Sequence, residues 1–324
     1  MASAGGLNVR HLCPPIVRFR GRWAIERMGL RQRTCLLLLL ATSACLPGDR
    51  GAGRLMVIDD ARDTVRLQRP ATRVVSLIPA STELLFAIGA GPQLVGRTRW
   101  CDWPAEAAAV TDVGDGIDPN LEAILAQHPD LVVLYLSGSN AAVAGRLRAL
   151  GIPVVQLRTD LLESVAPHAR LLGELTGRRA AADSLVDAFE AQLATVTVSL
   201  HSGVRIPDRQ SVFIPTWNDP IITVGAGSFL DELVTRAGAV NIFHDLPQPS
   251  APVSLEAVAG RDPDLILTTG AGAVSFTHRP EWQVVQAVRR GKFVRIHGSQ
   301  FDRPGPRSSQ AITELKAALL EAQQ

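Results

Sequence analysis

The sequence lacks an excess of either charge and is poor in aromatic side chains. Its 324 residues hold 33 Lys and Arg against 31 Asp and Glu, and only 5% are Phe, Trp or Tyr. Balanced charge implies no strongly basic face for a nucleic acid backbone, so we expect no nucleic acid partner. Because aromatic side chains are scarce, each tryptophan is worth locating as a candidate ligand contact.

Patterns typical of metal sites and of common enzymes are also missing. The histidines after residue 45 never recur at i+3 or i+4, and no nucleophile elbow, Walker loop or zinc-protease motif is present. The four cysteines show neither metal-ligand spacing nor a disulfide framework: Cys13, Cys35, Cys45 and Cys101. We expect no intrinsic cofactor, no metal and no enzyme activity. An exported enzyme that uses an interdomain cleft stays as an alternative.

The amino-terminal segment has the features of an export signal. Arg31 and Arg33 precede five leucines at 36–40, and small residues lead to Cys45. This order is typical of a signal peptide, which we assign to residues 1–45. Met28 is expected to be the true start, because residues 1–27 would otherwise add an unusually long arginine-containing leader. The apolar run is too short to span a bilayer, and no later run is long enough either.

The residues before Cys45 resemble the lipobox of bacterial lipoproteins. This resemblance implies lipidation of Cys45, and attachment to a membrane through that lipid only. Thr42 stands where the motif usually has Leu, so an ordinary secretory signal cleaved nearby stays open. We assign residues 46–72 to a tether and a leading segment, since 46–54 are rich in Gly, Pro and Asp. The chain is therefore expected to be exported to the periplasm.

An internal repeat divides the remaining chain into two halves. The segment 120–124, Asn-Leu-Glu-Ala-Ile, leads to Pro129-Asp130 and an apolar run, and 254–258, Ser-Leu-Glu-Ala-Val, leads to Pro263-Asp264 and another. Each copy predicts a capped short helix, a break and a buried strand. A looser internal similarity relates the segment from Val74 to Gly89 to the segment from Ile221 to Gly238.

Alternating strands and helices predict a fold of two Rossmann-like α/β lobes. We expect lobes at 73–176 and 203–324, joined by one long helix over 177–202, where Leu185, Phe189 and Leu193 recur at helical spacing. A ligand cleft should lie between the lobes. The predicted strands are 74–78, 94–96, 131–135, 154–157, 211–214, 221–224, 265–268 and 293–296. Three further helices are expected at 81–88, with Ser81 as its cap, at 141–150 and at 308–321.

The segment Arg73–Glu83, followed by Leu94-Val95-Gly96, resembles the opening of the helical-backbone class of periplasmic binding proteins. The resemblance extends to the carboxyl terminus and includes the long helix and both Leu-Glu motifs. It implies a monomeric solute-binding protein that is not an enzyme. Such a protein delivers a cobalamin, ferric siderophore or haem ligand to the permease dimer of an ABC importer with its ATPase subunits.

Two segments are similar to the cobalamin-binding branch of this class. They are Trp100-Cys101-Asp102-Trp103-Pro104 and the segment 301–307, Phe-Asp-Arg-Pro-Gly-Pro-Arg. Gly116 and Ser299 depart from that branch, which has Trp and Asp at these places. The resemblance implies cobalamin or a related corrinoid as ligand, with a ferric siderophore or haem as the alternative.

Five residues are candidates for ligand contact. Trp100 follows a strand and offers a ring face for a corrin or porphyrin plane, and Arg303 could bind amide or carboxylate groups. Tyr135, Trp217 and Phe301 follow strands or lie in the loop before the last helix. A buried aromatic or a surface arginine is the alternative reading for each of them.

Glu122 and Glu256 occupy equivalent positions in the two repeats. The family resemblance implies that they face the membrane and pair with arginines of the two permease subunits. The alternative is stabilisation of the helix dipole, which is worth about 0.3–1 kcal/mol for a first-turn Glu. The repeat alone does not separate these two roles.

Overall fold

The computed structural model describes residues 55–197, 209–269 and 279–322. The predicted signal peptide over 1–45, the lipidation of Cys45 and the tether over 46–54 lie outside the described residues. Within the described ranges, no helix has the length and apolar character needed to cross a membrane.

The first lobe is built on a parallel sheet that follows an antiparallel hairpin. The hairpin strands are β1 (Leu55–Ile58) and β2 (Thr64–Leu67). The sheet strands are β3 (Val74–Ser76), β4 (Leu94–Arg97), β5 (Leu131–Tyr135) and β6 (Val154–Leu157), in the order β4-β3-β5-β6. Neighbouring residues pack on opposite faces, Val74 and Val133 in the main core, Val75 and Val132 in a separate cluster. This two-sided burial explains the unbroken apolar runs.

The second lobe repeats this topology. Its parallel strands are β7 (Ser211–Phe213), β10 (Val240–Asn241), β12 (Leu265–Thr269) and β13 (Phe293–Ile296), in the order β10-β7-β12-β13. In both lobes the first strand lies between the second and the third, and the fourth is at an edge. The predicted fold of two α/β lobes is confirmed.

A three-stranded antiparallel sheet is inserted in the second lobe. It consists of β8 (Pro215–Asn218), β9 (Ile221–Val224) and β11 (Ser250–Pro252), in the order β11-β9-β8. The looser internal similarity is therefore wrong about the strands. Val74 begins a strand of the parallel sheet, whereas Ile221 begins a strand of this insertion. The similarity does relate equivalent helices, since the helix that ends each segment lies in the chain between the first and second parallel strands of its lobe.

The helices lie on both faces of the sheets. They are α1 (Pro79–Ala87), α2 (Leu121–Ala126), α3 (Gly138–Ala149), α4 (Val165–Thr176), α5 (Arg179–Val196), α6 (Phe229–Ala237), α7 (Leu255–Arg261), α8 (Gln286–Arg289) and α9 (Ser308–Glu321). Short 3-10 helices span Gly91–Gln93, Ala105–Ala109, Leu162–Ser164, Pro280–Val284 and Ser299–Phe301. Ser81 does not cap α1 as expected, because Pro79, with its fixed φ, already occupies the first helical turn.

Helix α5 carries the chain from the first lobe to the second. It begins after Gly177, whose φ of 71° ends α4 in the left-handed conformation. Ala182, Val186 and Phe189 are buried in the main core, which contains residues of both lobes. The predicted linking helix over 177–202 is helical from Arg179 to Val196, and residues 198–208 lie outside the described part.

The Pro-Asp step of the repeat anchors the neighbouring strand in each lobe. Asp130 accepts hydrogen bonds of 2.8–3.0 Å from the backbone amides of Thr72 and Arg73, just before β3. Asp264 accepts bonds of 2.8 and 2.7 Å from the amide and hydroxyl of Ser211, at the start of β7. Each carboxylate thus ties together the beginnings of two adjacent parallel strands. This contact gives the repeat a structural role in both halves.

Candidate functional site

A cavity of about 560 Å³ lies at the carboxyl ends of the first-lobe strands. Its wall is formed by residues that follow each of the four strands of this sheet, and by Asp302 and Arg303 from the second lobe. The carboxyl edge of a parallel sheet is where α/β folds place their ligands, because the loops there converge. Residues of both lobes therefore face a common space.

Trp100 stands on the loop after β4 and lines this cavity. Its side chain is 60% exposed, and its indole nitrogen donates a hydrogen bond of 3.2 Å to Oδ2 of Asp115. The other carboxylate oxygen of Asp115 accepts the amide of Ile117 at 2.9 Å. These two contacts, the Ile117 amide first, lower the pKa of Asp115. A charged carboxylate thus orients an open aromatic ring at the cavity wall.

Tyr135 lines the cavity from the end of β5. Its hydroxyl donates a hydrogen bond of 2.7 Å to Oδ1 of Asp160, which follows β6. Burial, and then the hydrogen bond to Asp160, raise the pKa of Tyr135 to about 12. The phenol therefore stays neutral at physiological pH and keeps Asp160 directed along the wall.

Gly116 occupies a position where no side chain fits. A Cβ at this residue would lie 2.4 Å from the carbonyl oxygen of Leu77, well inside van der Waals contact. Asn140 holds the same loop in place, donating from Nδ2 to the carbonyls of Gly116 at 3.2 Å and Tyr135 at 3.0 Å. The departure from the cobalamin-binding pattern at Gly116 therefore has a packing cause. The aromatic surface of this wall comes instead from Trp100 and Tyr135.

Arg303 reaches the cavity from the loop that precedes α9. Its Nη2 donates to Asp102, and its Nε lies 3.6 Å from the buried carboxylate of Glu83 on α1. Burial alone would raise the pKa of Asp102, but the hydrogen bond and positive charge of Arg303 outweigh it and lower that pKa. The guanidinium therefore spans the two lobes at the cavity wall.

The remaining two aromatic candidates do not line the cavity. Phe301 is 2% exposed and packs in the main hydrophobic core, so it is not available to a ligand. Trp217, on β8, is 61% exposed and donates its indole hydrogen to the carbonyl of Asp219 at 2.9 Å. Of the five sequence candidates, the structure brings together Trp100, Tyr135 and Arg303.

The described wall of the cavity is acidic. Arg303 is its one basic side chain, and four carboxyl groups face it: Asp102, Asp115, Asp160 and Asp302. Partial burial raises the pKa of Asp302, while the charges of Arg303 and Arg307 oppose this effect. Sequence reasoning missed Asp115, Asp160, Asp302 and Glu83. The position of Asp160, just after a buried parallel strand, was the signal that could have revealed it.

Glu122 and Glu256 lie in equivalent first turns of α2 and α7. Asn120 accepts the amide of Ala123 at 3.1 Å, and Ser254 accepts the amide of Ala257 at 3.2 Å, so both helices have the expected caps. Both glutamate side chains are exposed. The pKa of Glu256 is lowered by hydrogen bonds from its own backbone amide and then from Ser254. Each lobe therefore presents one anionic side chain on a capped helix.

Among the described residues, no group of three or more His, Cys, Asp or Glu side chains is arranged to hold a metal ion.

Comparison with known proteins gives a consistent result. A family profile described as "Periplasmic binding protein" matches residues 74–299, more than half of the chain. A vitamin B12-binding protein of Vibrio campbellii is 29% identical over 247 residues, covering 76% of this chain and 88% of that protein. A substrate-binding lipoprotein of an ABC transporter from Bacillus subtilis, YvrC, is 28% identical over 270 residues, covering 82% of this chain and 85% of that protein.

The solved structures include a similar two-lobed protein. The crystal structure of the periplasmic vitamin B12 binding protein BtuF of Vibrio cholerae matches with a TM-score of 0.63 and 27% sequence identity. The match covers 79% of this chain and 99% of that one. The likeness therefore includes both lobes and the helix between them.

Proposed function

This chain belongs to the periplasmic binding protein family, and we propose that it captures cobalamin, or a related corrinoid, between its lobes for delivery to an ABC importer. The observation that carries the proposal is the cavity at the first-lobe strand ends, which combines an open indole, a neutral phenol and an acidic wall. Relatives named for vitamin B12 binding support the choice of ligand.

The chemistry of the wall suits a corrinoid. A corrin ring offers a broad apolar plane with a rim of uncharged carboxamides. Trp100 can stack on such a plane, and the carboxylates of Asp115, Asp160 and Asp302 can accept hydrogen bonds from amide NH2 groups. Arg303 can donate to an amide carbonyl at the opposite side of the cavity. None of these contacts needs a charged ligand.

The same wall disfavours the alternative ligands. Haem carries two propionates, which four nearby carboxyl groups would repel. A site for an anionic ferric siderophore needs several basic side chains, whereas the described wall has one arginine that Asp102 and Glu83 already neutralise. A haem or siderophore ligand is therefore the second candidate, and it is an arm of the experiment below.

Delivery would use the two exposed glutamates. One anionic side chain on each lobe matches a permease dimer, which offers the same basic surface twice, and ATPase subunits would drive the import. The chain would act as a monomer in the periplasm, with Cys45 as the lipid attachment site. A lipoprotein among the relatives supports this anchor.

The experiment is a calorimetric titration of the chain from residue 46 with cyanocobalamin, haem and an anionic ferric catecholate siderophore. We expect one-to-one binding of the corrinoid alone. Binding of haem or the siderophore instead would change the assigned ligand and leave the proposed transport role in place. Absorbance spectra of the mixtures test the enzyme alternative, because conversion of the bound ligand would contradict a purely binding function.

A further inference from the structure

Glu83 is a buried carboxylate in the first lobe that pairs with two arginines of the second lobe. It lies on α1, is 3% exposed, and is absent from the cavity wall. Arg307, at the start of α9, donates to it twice, from Nε to Oε1 and from Nη2 to Oε2, both at 2.8 Å. This two-point contact fixes the guanidinium in both position and orientation.

A second arginine shares the same carboxylate. The Nε of Arg303 lies 3.6 Å from Oε2 of Glu83 and is buried without a hydrogen-bond partner. Its Nη2 donates to Asp102 at the cavity wall. Glu83 thus stands between the ligand-facing arginine and the arginine that begins the last helix.

The loop that carries both arginines fits closely against Glu83. A Cβ at Gly305 would lie 3.3 Å from Oε1 of Glu83, so the backbone itself approaches the carboxylate. Arg307 also covers the ring of Trp103 at 4.4 Å. The carboxylate, the loop and the aromatic ring therefore form one interlobe contact beside the cavity.

We infer that Glu83 is a positioning residue that sets the closed width of the cleft by holding the loop 302–307 against the first lobe. The inference rests on the proposed ligand capture, since it concerns how Arg303 and Asp302 are presented to the ligand. A neutral side chain at residue 83 leaves two largely buried guanidinium groups without their shared anion. Arg307 then keeps only neutral acceptors from its own lobe, at Ser299 and Gln300, and loses its ion pair with the first lobe, so the lobes separate at this edge.

The test is Glu83→Gln in the chain from residue 46, with cyanocobalamin as the probe. Stopped-flow mixing is expected to show a dissociation rate raised at least about tenfold, with the association rate changed less than about threefold. Asp231→Asn is the matched control. Asp231 is also 3% exposed and pairs with Asn241 and His244 inside the second lobe, away from the cavity. The control should keep the wild-type dissociation rate even where its stability falls.

A second measurement needs no ligand. Spin labels at Ala126→Cys and Ala257→Cys, on exposed helix positions of the two lobes, report the lobe separation. Glu83→Gln should lengthen and broaden this distance distribution, and Asp231→Asn should not. If the wild type binds no corrinoid, the proposed function fails, and the distance distribution still decides the role of Glu83.

Unchanged distances together with an unchanged dissociation rate would overturn the inference. If Glu83→Gln fails to fold, Arg307→Lys replaces it, because lysine keeps the charge and loses the two-point contact. That variant is expected to raise the dissociation rate by about three- to tenfold. A wild-type rate and distance in Arg307→Lys would equally overturn the inference.

Discussion

The indole nitrogen of Trp100 donates its hydrogen bond to Asp115 at 3.2 Å, so the edge of the ring is held while its surface stays open. An exposed tryptophan is costly to leave in water and gains by stacking on an apolar plane. Because Asp115 is itself fixed by the amide of Ile117, the ring is oriented before a ligand arrives. Such pre-organisation reduces the ordering cost of binding.

Trp100→Ala is expected to weaken corrinoid binding by about 10- to 100-fold, which corresponds to the loss of one aromatic stacking surface. Asp115→Asn should weaken it less, by about 3- to 10-fold, because the stacking surface stays while the orientation of the ring and one carboxylate acceptor for a ligand amide are lost. Calorimetry measures both. Trp217→Ala is the matched control, since Trp217 is equally exposed and does not line the cavity. Wild-type affinity in Trp100→Ala would contradict the proposed contact.

The double variant Glu122→Lys, Glu256→Lys should abolish uptake of the ligand while the calorimetric Kd stays within about twofold of wild type. Both side chains are exposed and lie outside the cavity wall, so their reversal removes only the surface that the permease would bind. Asp187→Lys, Glu190→Lys on the exposed side of α5 carries the same change in charge and should leave uptake intact. Loss of ligand affinity in the glutamate variant would refute the docking role.

Phe301→Ala should lower the free energy of unfolding by about 3–5 kcal/mol, because a buried ring leaves a cavity in the main core. Urea denaturation measures this loss. The affinity per folded molecule should be unchanged, and Phe301→Leu should show the same affinity with a smaller loss of stability. If the fully folded Phe301→Leu variant bound the ligand more weakly than wild type, Phe301 would be a ligand contact after all.

Asp130→Ala and Asp264→Ala should each reduce the free energy of unfolding by about 1–2 kcal/mol, since each removes a charged acceptor of strand-start hydrogen bonds. The two losses should add within about 0.5 kcal/mol, because the residues lie in different lobes. Asp187→Ala, on the exposed side of α5, is the control for removing a surface carboxylate. A loss of stability no larger than that of the control would show that the hydrogen bonds accepted by Asp130 and Asp264 do not stabilise the fold.

Asp302→Asn should stabilise the protein at neutral pH and lose that advantage in acid. The pKa of Asp302 is raised by burial in the folded state, so the folded protein binds this proton more tightly than the unfolded chain. Its ionisation therefore reduces stability as pH rises from the ordinary aspartate value through the raised one. Thermal melts at pH 7 and near pH 3 measure the difference. A variant less stable than wild type at pH 7 would contradict this sign.

Much of the fold could be predicted because its signals are local. The strands at 131–135, 154–157, 221–224 and 293–296 have the predicted bounds. The first two are buried along nearly their whole length, and the other two carry Ile, Val and Phe side chains that are typical of strands. The strands of the β1–β2 hairpin, β8, β10 and β11 were missed, because they are short and half-exposed, or end in polar residues. β10 and β11 pair with strands more distant in the chain, β7 and β9, whereas β1–β2 and β8–β9 are hairpins of neighbouring strands.

Tertiary structure alone decided which candidates share the site. The sequence by itself determined the two α/β lobes, the helix between them, and the aromatic loop at Trp100, because periodicity, caps and the internal repeat are written in neighbouring residues. It did not separate Phe301, which is buried in the core, from Arg303 two residues later, which faces the cavity. Nor did it pair Glu83 with Arg307, 224 positions away. Side-chain direction and lobe contact depend on how the two halves pack, and this packing places Asp302 and Arg303 of the second lobe at the cavity wall.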